Sequence, residues 1–337
     1  MLSRVRQRRW CAVDSDGFEW RTARVAALIN AGSGKDDNAQ TRALINAQVA
    51  PRCAALDWHD IAKGQSPLEA ARKAAAGYDL ILAIGGDGTQ SAVAQALAGS
   101  DRRMAPLPGG TFNFFARDLG FAPEMEAAVA ALLTEARPRS IDLAEVNGTV
   151  FLNNASFGLY PDILERRESL YKRWGRSRFG AYWTVLTSLA NLRRAMRLTV
   201  QDKGGQRQFR TRLAFVAASP LQLETHRLDG AQALRDGHLA LFVAHGQTPW
   251  ALVGAALRLA RGKASRQSDF DLIEADDLTI TTRPPERMIA HDGEKSRMTG
   301  PFRLRVRPQA LRVLAPLTRP DGSAARGLPD TLTKDPA

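Results

Sequence analysis

Leu80-Ile81-Leu82-Ala83-Ile84-Gly85-Gly86-Asp87-Gly88-Thr89 is the stretch that decides the fold. Five consecutive apolar residues suit a strand buried on both faces, as in a parallel sheet covered by helices. The glycine-rich turn after them opens a helix that is expected to end near Gly99. Glycines let a backbone approach a bulky anion, and a helix N-terminus favours negative charge. Thr89 can donate to a phosphate oxygen. Asp87 would repel a phosphate unless it holds a cation such as Mg²⁺, directly or through water. The plain alternative is a tight strand-to-helix turn with Asp87 as its cap. An aspartate between glycines at the carboxyl end of a strand favours phosphate binding.

The same texture recurs on either side. Val25–Ile29 reads as a buried strand ending in the turn Asn30-Ala31-Gly32-Ser33-Gly34-Lys35. That turn is not a P-loop, because Ile29 stands where the first glycine belongs and Asp36 where Ser or Thr is needed. No turn spells the dinucleotide-binding glycine pattern either. Asn30, Ser33, Gly34 and Lys35 nonetheless sit at the ligand-facing end of a strand, where a lysine can neutralise phosphate charge. Ser66-Pro67-Leu68-Glu69 predicts a capped helix start with proline at its first position. A third turn, Pro108-Gly109-Gly110-Thr111-Phe112-Asn113, again offers a glycine pair with a hydroxyl and an amide. Three such turns at the ends of successive strands predict an α/β nucleotide-binding domain over residues 23–139.

Near Ser140 the periodicity changes. Ile141–Val146 and Thr149–Asn153 flank Asn147-Gly148, a hairpin signal. Further strands are expected at Leu198–Val200, Leu213–Ala218, Leu239–Ala244, Leu278–Thr281, Phe302–Val306 and Leu311–Leu314, giving an antiparallel β-sandwich over residues 140–316. Two helical insertions, Pro161–Arg197 and Trp250–Arg261, interrupt it. Residues 1–22 read as a disordered basic arm and residues 317–337 as a frayed tail.

Composition narrows the partners. At 337 residues the chain suits two domains. Two cysteines, Cys11 and Cys53, are too few for a disulfide framework and fit a reducing cytoplasm. Five scattered histidines lack the spacing of metal ligands. No apolar run reaches the roughly 18 residues of a spanning helix, so a soluble protein is expected. The net charge of +12 attracts polyanions: nucleotides, an anionic membrane face or nucleic acid. Nucleic acid is the weakest of these readings, because the arginine-rich stretches carry no nucleic-acid-binding signature.

Taken alone, Asp292-Gly293-Glu294 is an acidic surface turn. Phosphoryl transfer to a hydroxyl, however, benefits from a carboxylate that accepts the proton. The order of Gly85–Thr89, Pro108–Asn113, Ile141-Asp142-Leu143 with Asn153–Gly158, Asp236-Gly237 and Asp292–Glu294 resembles that of diacylglycerol kinase catalytic domains. The bacterial soluble lipid kinases are the most similar in layout, and the resemblance runs from about Val25 to Pro316. It implies an N-terminal domain like that of NAD kinases and phosphofructokinases, followed by a β-sandwich. It also implies an ATP- and Mg²⁺-dependent kinase acting on a lipid with a free hydroxyl, cytoplasmic and peripherally bound to membrane.

By position, the resemblance assigns ATP contacts to Gly86, Asp87, Gly88, Thr89, Gln90, Ser91 and Thr111, within turns that include Gly85, Gly110 and Asn113. Asp60 falls at a further nucleotide-contacting position, where the family usually has Thr or Ser. Asp87 would organise the catalytic Mg²⁺, and Glu294 would be the general base. A structural Mg²⁺ would lie on the Asp236 carboxylate with the Ala233 and His238 backbone carbonyls. Three departures bear on metal affinity and lipid preference: Phe114 where the family often has Asp, Asp60 itself, and Gln222–Arg227 in place of a glycine-rich stretch.

The insertion carries Phe179, Tyr182, Trp183, Leu186 and Leu189 at helical spacing, with Arg166, Arg167, Lys172, Arg173, Arg176 and Arg178 nearby. Such a stripe serves equally as core packing or as a membrane-docking face. Competing readings are an NAD kinase, which shares the Gly-Gly-Asp-Gly-Thr turn, and a degenerate, non-catalytic nucleotide- or lipid-binding protein.

Overall fold

The computed structural model describes residues 17–30, 35–62, 64–158, 195–245, 254, 258 and 268–328. The chain divides into two compact units. One comprises the described residues of Met1–Leu143, Arg235–Gly237 and Arg307–Ala337, and the other those of Ala144–Leu234 and His238–Val306.

The first unit alternates strand and helix: β1 (Arg24–Asn30), α1 (Lys35–Gln48), β2 (Ala55–Ile61), α2 (Pro67–Ala75), β3 (Leu80–Gly85), α3 (Asp87–Leu97), β4 (Arg103–Pro108), α4 (Phe114–Asp118), α5 (Met125–Thr134) and β5 (Arg137–Val146). The strand order is β2-β1-β3-β4, and every pairing in it is parallel. The apolar runs of β1 and β3 are wholly buried, as expected of strands covered on both faces. The capped start of α2 is present: Ser66 Oγ accepts from the Glu69 N–H at 3.4 Å, with Pro67 at the first position. Because β1 is followed by β2 on one side and β3 on the other, the sheet has a topological switch point at β1/β3. Ligands of open α/β sheets bind outside the carboxyl ends of the strands at such points. The register sets Ile29 beside Ile84 and Gly85 beside Pro108, so the ends of these strands lie level.

The second unit contains β6 (Thr149–Phe151), β7 (Asn154–Gly158), β8 (Met196–Asp202), β9 (Gly205–Thr211), β10 (Leu213–Ala217), α6 (Pro220–Thr225), α7 (Ala231–Arg235), β11 (Leu239–Ala244), β12 (Phe270–Ala275), β13 (Asp277–Arg283), β14 (Glu286–His291), β15 (Glu294–Thr299) and most of the first half of β16 (Phe302–Ala315). One sheet runs β12-β11-β10-β7-β14-β15, and β13, β8 and β9 follow one another in the other. All the described pairings within this unit are antiparallel. The inward residues of the two sheets, among them Phe157, Val216, Leu241, Ile280 and Phe302, form one apolar core, which is the sandwich expected from alternation. The Asn147-Gly148 turn adopts positive φ at both residues and joins β5 to β6 as a hairpin.

Three boundaries differ from expectation. Phe302–Val306 and Leu311–Leu314 are a single strand, β16, which passes through Pro308 and a left-handed Gln309 (φ 50°). Gln309 donates its N–H to Asp142 Oδ1 at 2.8 Å, which holds the irregularity in place. The second half of β16 also belongs to the first unit, where Arg312–Val313 pairs in parallel with β4, so the α/β unit does not end at residue 139. Residues 317–328 are not frayed. Arg319 forms a buried ion pair with Asp118 at 2.7 Å. Arg139, fully buried, donates to the carbonyls of Ala315 and Pro316 at 2.7 Å, and Ala324, Ala325 and Leu328 pack together. The polar composition concealed this because its anchors are charged side chains rather than an apolar run.

Residues 1–16 of the arm, most of the two insertions with their aromatic and arginine residues, and residues 329–337 lie outside the described residues.

Candidate functional site

In the first unit, the second and third glycine turns are packed backbone to backbone. A Cβ at Gly109 would stand 2.9 Å from the Gly85 backbone, and one at Gly110 would stand 2.5 Å from Gly86 Cα. A Cβ at Gly85 would meet Thr89 Oγ1 at 2.8 Å. No real side chain tolerates these approaches, so the glycines are required first by each other. Asn113, left-handed at φ 50°, closes the third turn. Its Oδ1 accepts from the Gly110 N–H at 2.8 Å and its Nδ2 donates to the Gly110 carbonyl at 2.9 Å. Gln90 is fully buried, and its Nε2 donates to the carbonyls of Gly85 at 3.0 Å and Leu107 at 3.3 Å, joining the ends of β3 and β4. Asn113 and Gln90, both among the expected nucleotide-site residues, thus also have structural parts: Asn113 closes its own turn, and Gln90 joins the ends of two strands.

Asp87 is the first residue of α3, after Gly86 as N-cap. Its Oδ1 accepts from the Phe115 N–H at 3.1 Å, which orients the carboxylate against the start of α4. Thr89 and Ser91 are buried in the first turns of α3, Gly88 lies between Asp87 and Thr89, and Thr111 is exposed on the third turn. Phe114, where the family often has Asp, stacks on Phe112 at 5.7 Å between centroids, and Phe112 is 62% exposed. Asn30 ends β1 and is partly buried, and Lys35 opens α1, while Ser33 and Gly34 lie outside the described residues. Asp60 lies on β2 and is ion-paired with Arg42 of α1, whose guanidinium also covers the Trp58 ring.

In the second unit, Asp292-Gly293 is the tight turn between β14 and β15, with φ 46° and 87°. The Asp292 carboxylate accepts from three successive backbone N–H groups: Leu152 at 2.6 Å, Asn153 at 2.8 Å and Asn154 at 3.2 Å. Its own N–H donates to the Asn154 carbonyl at 3.0 Å. A nest of consecutive amides is a strong holder of one negative charge. Glu294 opens β15 opposite His291 and is exposed. His291 is buried, with Nε2 2.8 Å from Ser296 Oγ. Burial pushes its pKa below the ordinary imidazole value, against the opposing pull of Glu294. The Asp-Gly pair was itself a hairpin signal that the sequence reading left as a surface turn.

Asp236 is exposed in the turn after α7. In that turn the Ala233 carbonyl accepts from the His238 N–H at 2.9 Å and Gly237 is left-handed at φ 73°. Among the described residues, no group of three or more His, Cys, Asp or Glu side chains could hold a metal. A cation on the Asp236 carboxylate with the Ala233 and His238 carbonyls would meet only oxygen, a hard set suited to Mg²⁺ or Ca²⁺ rather than zinc. Asp87 likewise offers only oxygen. Among the described residues, no helix is long and apolar enough to cross a membrane.

An open parallel α/β unit with two interlocked glycine turns, accompanied by an antiparallel sandwich, defines the structural class. Residues 24–146 match the diacylglycerol kinase catalytic domain, and residues 163–315 match the YegS C-terminal NAD kinase beta sandwich-like domain. The chain thus carries a diacylglycerol kinase catalytic domain followed by a YegS-type C-terminal domain. It is 52% identical over 86 residues to a protein of Pseudomonas aeruginosa (strain PAO1) named "Probable lipid kinase YegS-like", covering 25% of this chain and 28% of the relative. It is 45% identical over 90 residues to a diacylglycerol kinase of Bacillus subtilis (strain 168), covering 26% and 29%. These matches therefore span less than a third of the curated relatives' length. A solved structure of a diacylglycerol kinase from Bacillus anthracis str. Sterne shares the fold, with TM-score 0.61 at 19% identity, over 87% of this chain and 96% of that one.

Proposed function

We propose that this protein is a lipid kinase that transfers the γ-phosphoryl group of ATP to the hydroxyl of a diacylglycerol-like lipid, with Mg²⁺. The observation that carries the reading is the locked pair of glycine turns, with the Asp87 carboxylate fixed at the head of α3 by the Phe115 N–H, in a chain with a diacylglycerol kinase catalytic domain. The N-terminal amides of α3 favour the phosphates, and Thr89 and Thr111 add hydroxyl donors. Asp87 would hold the cation, and when bound it would neutralise charge on the phosphate oxygens. Asp236 with the Ala233 and His238 carbonyls would hold a second, structural cation. Glu294 accepts the proton as the lipid oxygen bonds to the γ-phosphorus. The bond to the β–γ bridging oxygen breaks, ADP leaves, and the phosphorylated lipid carries the new ester. Association is peripheral, at the cytoplasmic face of a membrane.

A second reading, a degenerate binder, is favoured by Phe114, whose ring occupies a position where a metal-supporting carboxylate would be expected. One experiment separates the two. The protein is incubated with γ-labelled ATP, Mg²⁺ and a panel of diacylglycerol, sphingoid base, ceramide and phosphatidylglycerol, with NAD as a further acceptor. A labelled lipid is the expected product. ATP binding with no labelled product overturns the kinase reading, and label in NAD alone replaces the lipid by a nucleotide.

A further inference from the structure

The outer face of the β13-β8-β9 sheet carries a row of three arginines directly opposite one another. Arg283 of β13 pairs in register with Arg197 of β8, and Arg197 with Arg210 of β9. All three are exposed, while the residues that alternate with them, Met196, Leu198 and Thr282, are buried. Directly opposed residues have Cβ atoms about 4.5–5.5 Å apart, and like charges there are destabilising. Among the described residues, no ion pair or hydrogen bond involves the guanidinium group of any of the three, although the Arg283 carbonyl accepts from Arg287 Nη2 at 2.7 Å. The next row, Thr281, Thr199 and Gln208, adds hydrogen-bonding groups and no carboxylate.

The other end of the same strands provides an internal control. There Lys203 is paired with Asp276 at 2.8 Å, and Arg207 with Asp202. Among the described residues, the sheet thus pairs its cations at one end and leaves three adjacent guanidinium groups without an acid at the other. Such a row bears a repulsive cost that an anion placed against it would relieve. The row spans three neighbouring strands on one exposed sheet face, so it suits an array of negative groups better than one small anion.

We infer that the Arg283–Arg197–Arg210 row is a docking surface for the anionic headgroups of a lipid bilayer. It deepens the lipid-kinase reading by naming how the enzyme reaches a substrate held in a membrane, but its test needs neither ATP nor turnover. The purified full chain is sedimented with vesicles of phosphatidylcholine containing about one-third phosphatidylglycerol, and with phosphatidylcholine alone. Replacing all three by glutamine (R197Q, R210Q, R283Q) is expected to weaken binding to the anionic vesicles on the order of a hundredfold, since each basic residue near such a surface contributes about a factor of five. A charge-matched control, K203Q with R207Q and R297Q, removes three cations that are already paired and is expected to lose far less. Thermal unfolding in vesicle-free, low-salt buffer tells docking from damage: relieving the repulsion is expected to leave the row variant at least as stable as wild type. Equal losses in both variants, undiminished binding in the row variant, or equal binding of wild type to neutral vesicles would overturn the proposal. Binding to duplex RNA or DNA that depends on the row, with none to vesicles, would overturn it as well. A protein that phosphorylates lipid in detergent yet shows none of these vesicle effects loses the docking surface and keeps its activity.

Discussion

Two aspartates in this chain are spelled alike, each beside a glycine in a tight turn, and the molecule uses them in opposite ways. Asp87 accepts from the Phe115 N–H of a neighbouring element and stands at the head of an eleven-residue helix. Asp292 accepts from the N–H groups of Leu152, Asn153 and Asn154, and in addition closes a two-residue hairpin. In the first turn the acid is aimed by a neighbouring helix start; in the second it ties a hairpin to the strand beside it, and the proposed base is the exposed Glu294 two residues on. Local spelling therefore identifies an acidic turn, and the place of the turn, at a helix head or between two paired strands, distinguishes the two.

That contrast is broken most severely at Asp87. Asp87→Ala is expected to abolish transfer, because the cation loses its carboxylate, while the circular dichroism spectrum stays that of wild type. Turnover near the wild-type rate in Asp87→Ala would refute the role given to the first turn. Next in size is Gly110→Ala, where the new methyl would stand 2.5 Å from Gly86 Cα. Overpacking of this kind costs about 1–3 kcal/mol, so the melting temperature should fall and ATP should bind more weakly as the two turns are forced apart. A variant with unchanged melting and ATP affinity would show that the turns are not interlocked.

Asp292→Asn should act mainly on stability. It exchanges a charged acceptor of three N–H groups for an amide that can present a donor to them, a loss of about 2–3 kcal/mol read in denaturant unfolding. The smallest effect belongs to His291. Its folded pKa lies below the ordinary imidazole value of 6.5, so the unfolded chain takes up a proton more readily. Stability should therefore be level above about pH 6.5 and decline as pH falls through that value towards the folded pKa. His291→Gln should flatten that decline, and an identical acid limb in the variant would place the titrating group elsewhere.

How much of this was legible in the sequence depended on what holds each part. The buried strands β1 and β3 were written as apolar runs, and the start of α2 as a serine, proline and glutamate in capping order. The glycine turns were legible as turns. Their reason was not, since Gly109 and Gly110 are small because Gly85 and Gly86 lie against them, a contact between segments more than 20 residues apart. The structural part played by Gln90 was hidden for the same cause, since one of its backbone partners, Leu107, lies on a separate strand end; Asn113 bonds within its own turn, to Gly110. The strands β2, β7, β9, β12, β14 and β15 were not predicted: polar residues dominate β9 and β15, although the Asp-Gly signal at 292–293 was available for the hairpin of β14 and β15. The packed segment after β16 escaped because Arg319, Asp118 and Arg139 anchor it, and buried charge leaves no apolar signature.

The division of labour between Asp292 and Glu294 is tested most directly by measuring kcat and unfolding free energy side by side for Glu294→Gln and Asp292→Asn. Glu294→Gln keeps size and polarity but cannot take up a proton. It is expected to lower kcat by about 10²–10⁴ with ATP affinity and stability unchanged. Asp292→Asn is expected to show the stability loss first. Full activity in Glu294→Gln, or a stability loss in it equal to that of Asp292→Asn, would contradict the assignment of the base to Glu294 and of the anchor to Asp292.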